Sequence, residues 1–175
     1  NCFEKGSIKS TYGTGCFLIL NTGEELIRSK NKLLTTIGYK LDSEICYALE
    51  GSIFMAGSII QWLRDQMGFL LSAEESEKRA LEADPKSRVF LIPAMTGLGA
   101  PHWMPEAKGA ILGLTIGSGP NEISLAALEA VAFQTKELIN AMKADGGKIT
   151  SLRVDGGMSK NNYFAQILAN TIKID

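Results

Sequence analysis

The chain is expected to fold as a layered α/β domain. Three early apolar runs alternate with polar residues at period two, and after residue 52 the period switches to that of helices interspersed with short strands. Its 175 residues suffice for a single core that buries roughly 70% of the surface exposed by the unfolded chain.

The first three strands read as a meander over residues 11–53. A strand around 14–20 is expected to turn at Asn21-Thr22-Gly23, a second around 33–41 at Asp42-Ser43, and a third runs from Glu44 to Glu50. From 52 to 67 the apolar positions Ile53, Met55, Ala56, Ile59, Ile60, Leu63 and Met67 fit one face of a helix, with Gly68 placed as its C-terminal cap. Residues 72–83 predict a short exposed helix capped by Ser72 and stopped at Asp84-Pro85.

Val89–Ile92 predicts a short buried strand that Pro93 ends, followed by the Gly/Pro-rich loop 96–105 and a further strand over 110–114. The longest helix starts at Pro120-Asn121 and runs to about Asp145. It is apolar nearly all round from Ile123 to Phe133, so that half is expected to be buried. A strand at 152–154, a turn at Asp155-Gly156-Gly157 and a helix over 160–171 complete the order. Ile172 and Ile174 suggest the start of another strand, and both ends read as cut from something longer.

Composition excludes several functions. A formal net charge of −1 gives no reason to expect nucleic acid or an anionic membrane, and no apolar run approaches the ~20 residues of a membrane span. Cys2, Cys16 and Cys46 lack metal-ligand spacing and His102 is the single histidine, so no metal site is expected in this chain. Free thiols point to a reducing, cytoplasmic setting, with Cys16 a small buried side chain. There is no P-loop, dinucleotide fingerprint or Ser/His/Asp set, and the sequence nominates no catalytic acid or base.

Three stretches carry candidate binding chemistry. In Gly13-Thr14-Gly15 a hydroxyl stands between two glycines at the head of Phe17–Leu20, which suits either a phosphate clamp or a tight turn. Gly57 lies inside the expected helix 52–67, where glycine costs about 1 kcal/mol relative to alanine. Either a ligand approaches there and also meets Gln61, one turn on, or another helix packs closely. Asp155-Gly156-Gly157 joins a strand to a helix, where backbone N–H groups favour anions, and Asn161 is in reach of a base or ribose; a plain tight connection is the alternative.

Taken together, these residues resemble the FGGY family of carbohydrate kinases. The resemblance runs through Thr11–Phe17 with Asn21-Thr22-Gly23, Leu33–Thr36, Tyr47–Gly51, Gln61–Asp65, Pro93-Ala94 with Thr96–Pro101, Gly109–Leu114, Ala126–Glu129 and Val154–Gly157. It implies an actin-like, ribonuclease-H-like ATPase fold. This chain would be most of the C-terminal, nucleotide-binding domain, without the N-terminal substrate domain.

It further implies ATP or ADP with Mg²⁺ as cofactors and glycerol as the phosphoryl acceptor, giving sn-glycerol 3-phosphate. Another polyol or sugar, or a free-standing nucleotide-binding or assembly module, are the alternatives. By motif, Gly13 and Thr14 would meet the terminal phosphates, Gly57 and Gln61 the nucleotide, Gly157 and Asn161 the adenosine side, and Phe17 the carbon skeleton of glycerol. The base and the metal-placing aspartate would lie before Asn1, so residues 1–175 alone are expected to be inactive; a homo-oligomer is implied for the full enzyme. Met104, Lys108 and Ile116 depart from the family's usual residues.

Overall fold

The computed structural model describes residues 2–174. A five-stranded sheet is built from β1 (Ser7–Tyr12), β2 (Cys16–Gly23), β3 (Leu34–Leu41), β4 (Glu44–Ile53) and β7 (Ser151–Asp155), in the order β3-β4-β2-β1-β7. The four contiguous strands pair antiparallel, while β7 lies parallel to β1 with Thr11 opposite Asp155. A separate hairpin pairs β5 (Phe90–Ile92) with β6 (Ala110–Leu112). The helices are α1 (Gly57–Asp65), α2 (Glu75–Leu81), α3 (Pro120–Ala144) and α4 (Asn162–Ile172), with a short 3-10 turn over Gly157–Lys160 before the last.

The expected meander needs two corrections. β1 was not foreseen, because Ser7, Ser10 and Thr11 disguise the alternation of Ile8 and Tyr12 into the core; Ser10 is itself fully buried, bonded to the Cys16 thiol at 3.0 Å. The strand over 33–41 does not follow β2 in the sheet either. β4 pairs with β2 and places β3 at the edge, where Leu34, Ile37 and Leu41 stay exposed.

One face of the sheet is the floor of the core. Ile8, Ser10 and Tyr12 of β1, Cys16, Leu18 and Leu20 of β2, and Leu49 of β4 are all fully buried. Above them runs α3, whose buried residues Leu128, Val131, Leu138, Ile139 and Met142 wind round much of its girth. Gly51 of β4 has no room for a side chain, since a Cβ there would meet Leu138. Tyr12 locks the layers together: its hydroxyl bonds the Thr135 hydroxyl of α3 at 2.9 Å and its ring meets Phe164 of α4 edge-on at 5.2 Å.

The remaining elements depart in detail from expectation. Helix α1 starts at Gly57, because Ser52 and Ile53 still belong to β4, and it ends at Asp65 with Gln66 as its C-cap, so that Gly68, at φ 65°, lies in the turn beyond the cap rather than forming it. Helix α2 is shorter than expected, takes no cap from Ser72, and packs against α3 and α4 through buried Ser76 and Ala80, so it is not merely a solvated face. In β5 only Leu91 is buried, while Phe90 and Ile92 face outward; the two-stranded sheet is covered on one side only. Ile172 ends α4, with Lys173 in the left-handed conformation, so no strand starts at Ile172.

Elsewhere Asp145 ties down the loop after β2. Its carboxylate accepts from the Ser29 hydroxyl at 2.5 Å, the Lys30 amide at 2.8 Å and the Asn31 side chain at 2.8 Å. Burial pushes its pKa up, but these donors outweigh that and hold it below the ordinary aspartate value.

Candidate functional site

A cavity of about 420 Å³ opens at the carboxyl ends of β1 and β7, walled by α1, α2 and the 3-10 turn. In α/β sheets ligands commonly bind beyond the carboxyl ends of parallel strands. Gly13, Thr14, Gly57, Gln61, Gly157 and Asn161 all line this cavity, so the structure brings the six candidate residues together. Phe17 is not among them; it stands on β2, exposed, on the face of the sheet opposite the buried Cys16 and Leu18.

The β1–β2 turn is stitched to the β4–α1 junction. The Gly13 carbonyl accepts from the Gly57 amide at 2.8 Å, and the Thr14 carbonyl from the amides of Ala56 and Ser58 at 2.9 and 3.0 Å. These bonds satisfy donors at the start of α1 that would otherwise be orphaned. Gly15 is equally constrained, since a Cβ there would lie 2.6 Å from the Ile53 carbonyl. The Thr14 hydroxyl makes no hydrogen bond among the described residues and is exposed to the cavity.

Gly57 has a different reason from either expected one. It is the first residue of α1 rather than an interior one, and a Cβ would fall 2.5 Å from the Gly13 carbonyl oxygen. The Gly13 carbonyl of its own chain is sufficient to demand glycine here, whatever else the residue meets in the cavity it lines.

The glycines beside Asp155 divide likewise. Gly156 adopts φ 93° and a side chain would collide with the Tyr12 carbonyl, so the fold requires it. Gly157 has no atom within 4 Å of the position a Cβ would take, and the nearest to that position on Gly13 is 3.9 Å away. At these two neighbouring points the cavity wall is bare backbone although the chain's own packing has room for a methyl. Asp155 is bound elsewhere: its carboxylate pairs with Lys9 at 2.6 Å, and that bond holds its pKa low.

Asn161 is held on two sides. Its Oδ1 caps α4 by accepting from the Phe164 amide at 2.7 Å, and its Nδ2 donates to the buried Ser76 hydroxyl of α2 at 3.3 Å. Ser76 donates in turn to the Ala73 carbonyl, while Glu77 accepts the Tyr163 amide at 3.1 Å, so α2 grips the start of α4 twice. Glu74, Ser76 and Glu77 belong to the stretch whose charges predict a short exposed helix, yet all three line the cavity. The signal available was Ser76 and Ala80, small residues four apart on an otherwise charged helix.

The cavity's charges balance. Arg64 and Lys160 line it together with Glu74 and Glu77. Arg64 also pairs with its neighbour Asp65 at 2.6 and 2.9 Å. Hydrogen bonds from its own amide and from Ser72 hold the Glu74 carboxyl below its ordinary value, aided by the charges of Arg64 and Lys160. The deeper wall is apolar, formed by Tyr12, Ile60, Leu128 and Met158. An apolar wall ringed by a few placed polar groups suits a flat heterocycle carrying a polar tail.

No group of three or more His, Cys, Asp or Glu side chains among the described residues is arranged to hold a metal ion, and no helix among them is long and apolar enough to cross a membrane. His102 pairs with Glu137 at 2.8 Å, away from the cavity.

Comparison with known proteins places this arrangement. Residues 8–175 match the C-terminal domain of the FGGY family of carbohydrate kinases. The chain is 57% identical to the glycerol kinase of Rhizobium rhizogenes, over 98% of its own length and 35% of that protein's. It is 53% identical to glycerol kinase 1 of Pseudomonas aeruginosa, again over 35% of that protein. Among solved structures, Plasmodium falciparum glycerol kinase with ADP superposes with a TM-score of 0.92 at 38% identity, covering 99% of this chain and 35% of that one. The chain therefore spans about a third of the length of the relatives it matches.

Proposed function

Because the chain belongs to the FGGY family of carbohydrate kinases, we propose that it is the nucleotide-binding domain of a glycerol kinase, which phosphorylates glycerol to sn-glycerol 3-phosphate with MgATP. One observation carries the reading: Gly13 and Gly157, at the ends of adjacent parallel strands, expose bare backbone to the cavity where packing does not require glycine. A ligand lying against them supplies the reason the chain lacks. The fold is that of the actin-like ATPases.

In this reading Gly13 and the free Thr14 hydroxyl lie against the terminal phosphates, Gly57 keeps that turn in place, and Gln61 flanks the nucleotide. Gly157 and Asn161 take the nucleoside end against the apolar wall of Ile60, Leu128 and Met158. Phe17, outside the cavity, is left to pack against the glycerol carbons. The chain contributes positioning, which phosphoryl transfer depends on heavily. Mg²⁺ would enter on the nucleotide's phosphates and neutralise charge there. The base and most glycerol contacts belong to an N-terminal domain, the assembled enzyme is an oligomer, and its setting is the cytoplasm.

The test is a titration of the ¹⁵N-labelled chain with ADP. Amides of Gly13, Thr14, Gly57 and Gly157 should shift, with a dissociation constant on the order of millimolar, worth roughly 4 kcal/mol. Shifts confined to the β5–β6 hairpin would remove the cavity from consideration. Glycerol-dependent ATP turnover by residues 1–175 alone would overturn the assigned division of labour.

A further inference from the structure

Where β1 begins and β2 finishes, at the end of the sheet away from the Gly13 turn, a second cavity of about 590 Å³ opens beside the turn between α3 and β7. It shares no lining residue with the first. Its walls are fastened to one another: Asp145 holds the loop after β2 against the end of α3, the Gly6 amide donates to the Asn21 carbonyl at 2.9 Å, and the Thr150 amide donates to the Gly6 carbonyl at 2.8 Å. The stem of Lys5 lies over Gly23, where an added Cβ would come within 3.1 Å of it, and carries the ammonium group to Glu25 at 3.1 Å. A ligand meets a concavity already formed, which lowers the ordering cost of binding.

Two ammonium groups, Lys5 and Lys148, line this cavity with a single carboxylate, Glu25, in a chain whose net charge is −1. Lys148 makes no hydrogen bond or ion pair among the described residues, and neither does the Thr150 hydroxyl. Lys5 keeps two N–H groups beyond the one Glu25 takes, and Glu25 meets it through Oε2, leaving Oε1 as an acceptor. Exposed pairs of this kind contribute little, so an incoming anion can share Lys5.

Point-charge donors and a hydroxyl suit a phosphate, which carries up to about two charges and three acceptor oxygens. Glu25 repels a bare anion set beside it. A ligand that turns a hydroxyl rather than its phosphate to that side gains a hydrogen bond at Oε1 instead, with Leu20 and Ile27 as apolar wall for the carbons between.

We propose that this second cavity binds the phosphate monoester of a short polyol, its phosphate on Lys148, Thr150 and the spare N–H groups of Lys5, and a ligand hydroxyl donating to Glu25. The site stands apart from the nucleotide cavity and does not depend on the reading given for it.

The probe is sn-glycerol 3-phosphate, titrated into the ¹⁵N-labelled chain beside inorganic phosphate and glycerol. Amides of Thr22, Gly146, Lys148 and Thr150 should shift with the ester while those of Gly13, Thr14 and Gly157 stay in place. Inorganic phosphate should bind these residues about fivefold more weakly, and glycerol should not move them. Lys148→Met should weaken the ester about tenfold and Lys148→Arg should restore most of the affinity, both without a change in unfolding midpoint, since Lys148 has no partner to lose. ADP titrated into Lys148→Met should behave as it does with wild type, so failure here and failure of the nucleotide reading are separately visible. Shifts that centre on the Gly13 turn, inorganic phosphate or glycerol binding as tightly as the ester, or undiminished binding in Lys148→Met overturn the proposal. So does the absence of any shift at the four amides with the ester at about 20 mM, a comparison that needs no variant.

Discussion

The amide of Gly57 donates to the carbonyl of Gly13 across 2.8 Å, and a methyl group on Gly57 would lie 2.5 Å from that same oxygen. The bond and the missing side chain are two sides of one contact, which joins the β1–β2 turn to the start of α1. Gly57→Ala must therefore push the two apart. Overpacking of this kind typically costs ~1–3 kcal/mol, worth roughly 2–4 °C in Tm per kcal/mol for a chain of this size. The expected result is a lower Tm together with weaker ADP binding, because the turn carrying Thr14 moves. A thermal melt that matches wild type would show that the junction relaxes freely.

Gly157→Ala should behave in the opposite way. Nothing lies within 4 Å of the position its methyl would occupy, so Tm should hold or rise slightly as the unfolded chain loses freedom. ADP affinity should fall about tenfold if a ligand lies there. Calorimetric melts and ADP titrations on the same two glycine variants separate a structural glycine from a ligand-facing one.

Both roles were visible as glycines in the sequence, and neither could be assigned from it. Periodicity located α3, β4 and α4 to within a few residues, since each repeats its own apolar face along several positions. Gly57 was misread because the register of α1 depends on where β4 stops, and that is decided by pairing with β2, some thirty residues upstream in sequence. β1 was overlooked because buried hydroxyls look like loop composition until Cys16 and Thr135 are seen to bond Ser10 and Tyr12. Local chemistry nominates the six candidate residues and the resemblance to FGGY kinases joins them into one pocket, whereas the support of Asn161 by Ser76 is a tertiary contact across 85 residues that no local pattern carries.

Alkali should destabilise the fold in two steps. Burial pushes the Cys16 thiol up to about 12 from an unfolded value of 9.0, and burial likewise raises the Tyr12 phenol above its ordinary 10.0. Each acid releases its proton more readily when unfolded, so its stabilising effect is complete below the unfolded pKa and is lost as pH rises towards the folded one. Urea midpoints should decline from about pH 9, and in Cys16→Ala the decline should begin nearer pH 10. A flat profile from pH 8 to 11 would contradict the burial of both groups.

Asp145→Ala removes the acceptor for three donors in the loop after β2. Leaving them unmatched is expected to cost about 1–3 kcal/mol. The Asp145 carboxylate has a lowered pKa, so its contribution is present above the unfolded value of 3.8 and fades as pH falls through the folded one. Limited proteolysis should cut between residues 24 and 33 sooner in the variant than in wild type, and the difference should narrow in strong acid.

The parallel pairing of β1 with β7 sets an order of events during synthesis. Residues 7–12 leave the ribosome some 140 residues before their partner strand. Until then β1 is the open edge of the sheet, a template for unwanted strand addition. Lys9 stands on that strand, and a charged residue on an open edge is one of the means by which proteins discourage such pairing. Pairing across so long a separation is the kind of non-local contact that slows folding. A nascent chain halted before residue 151 carries the Gly13 turn and the residues of α1 but lacks the wall that bears Gly157, so the cavity cannot be complete until β7 has joined β1.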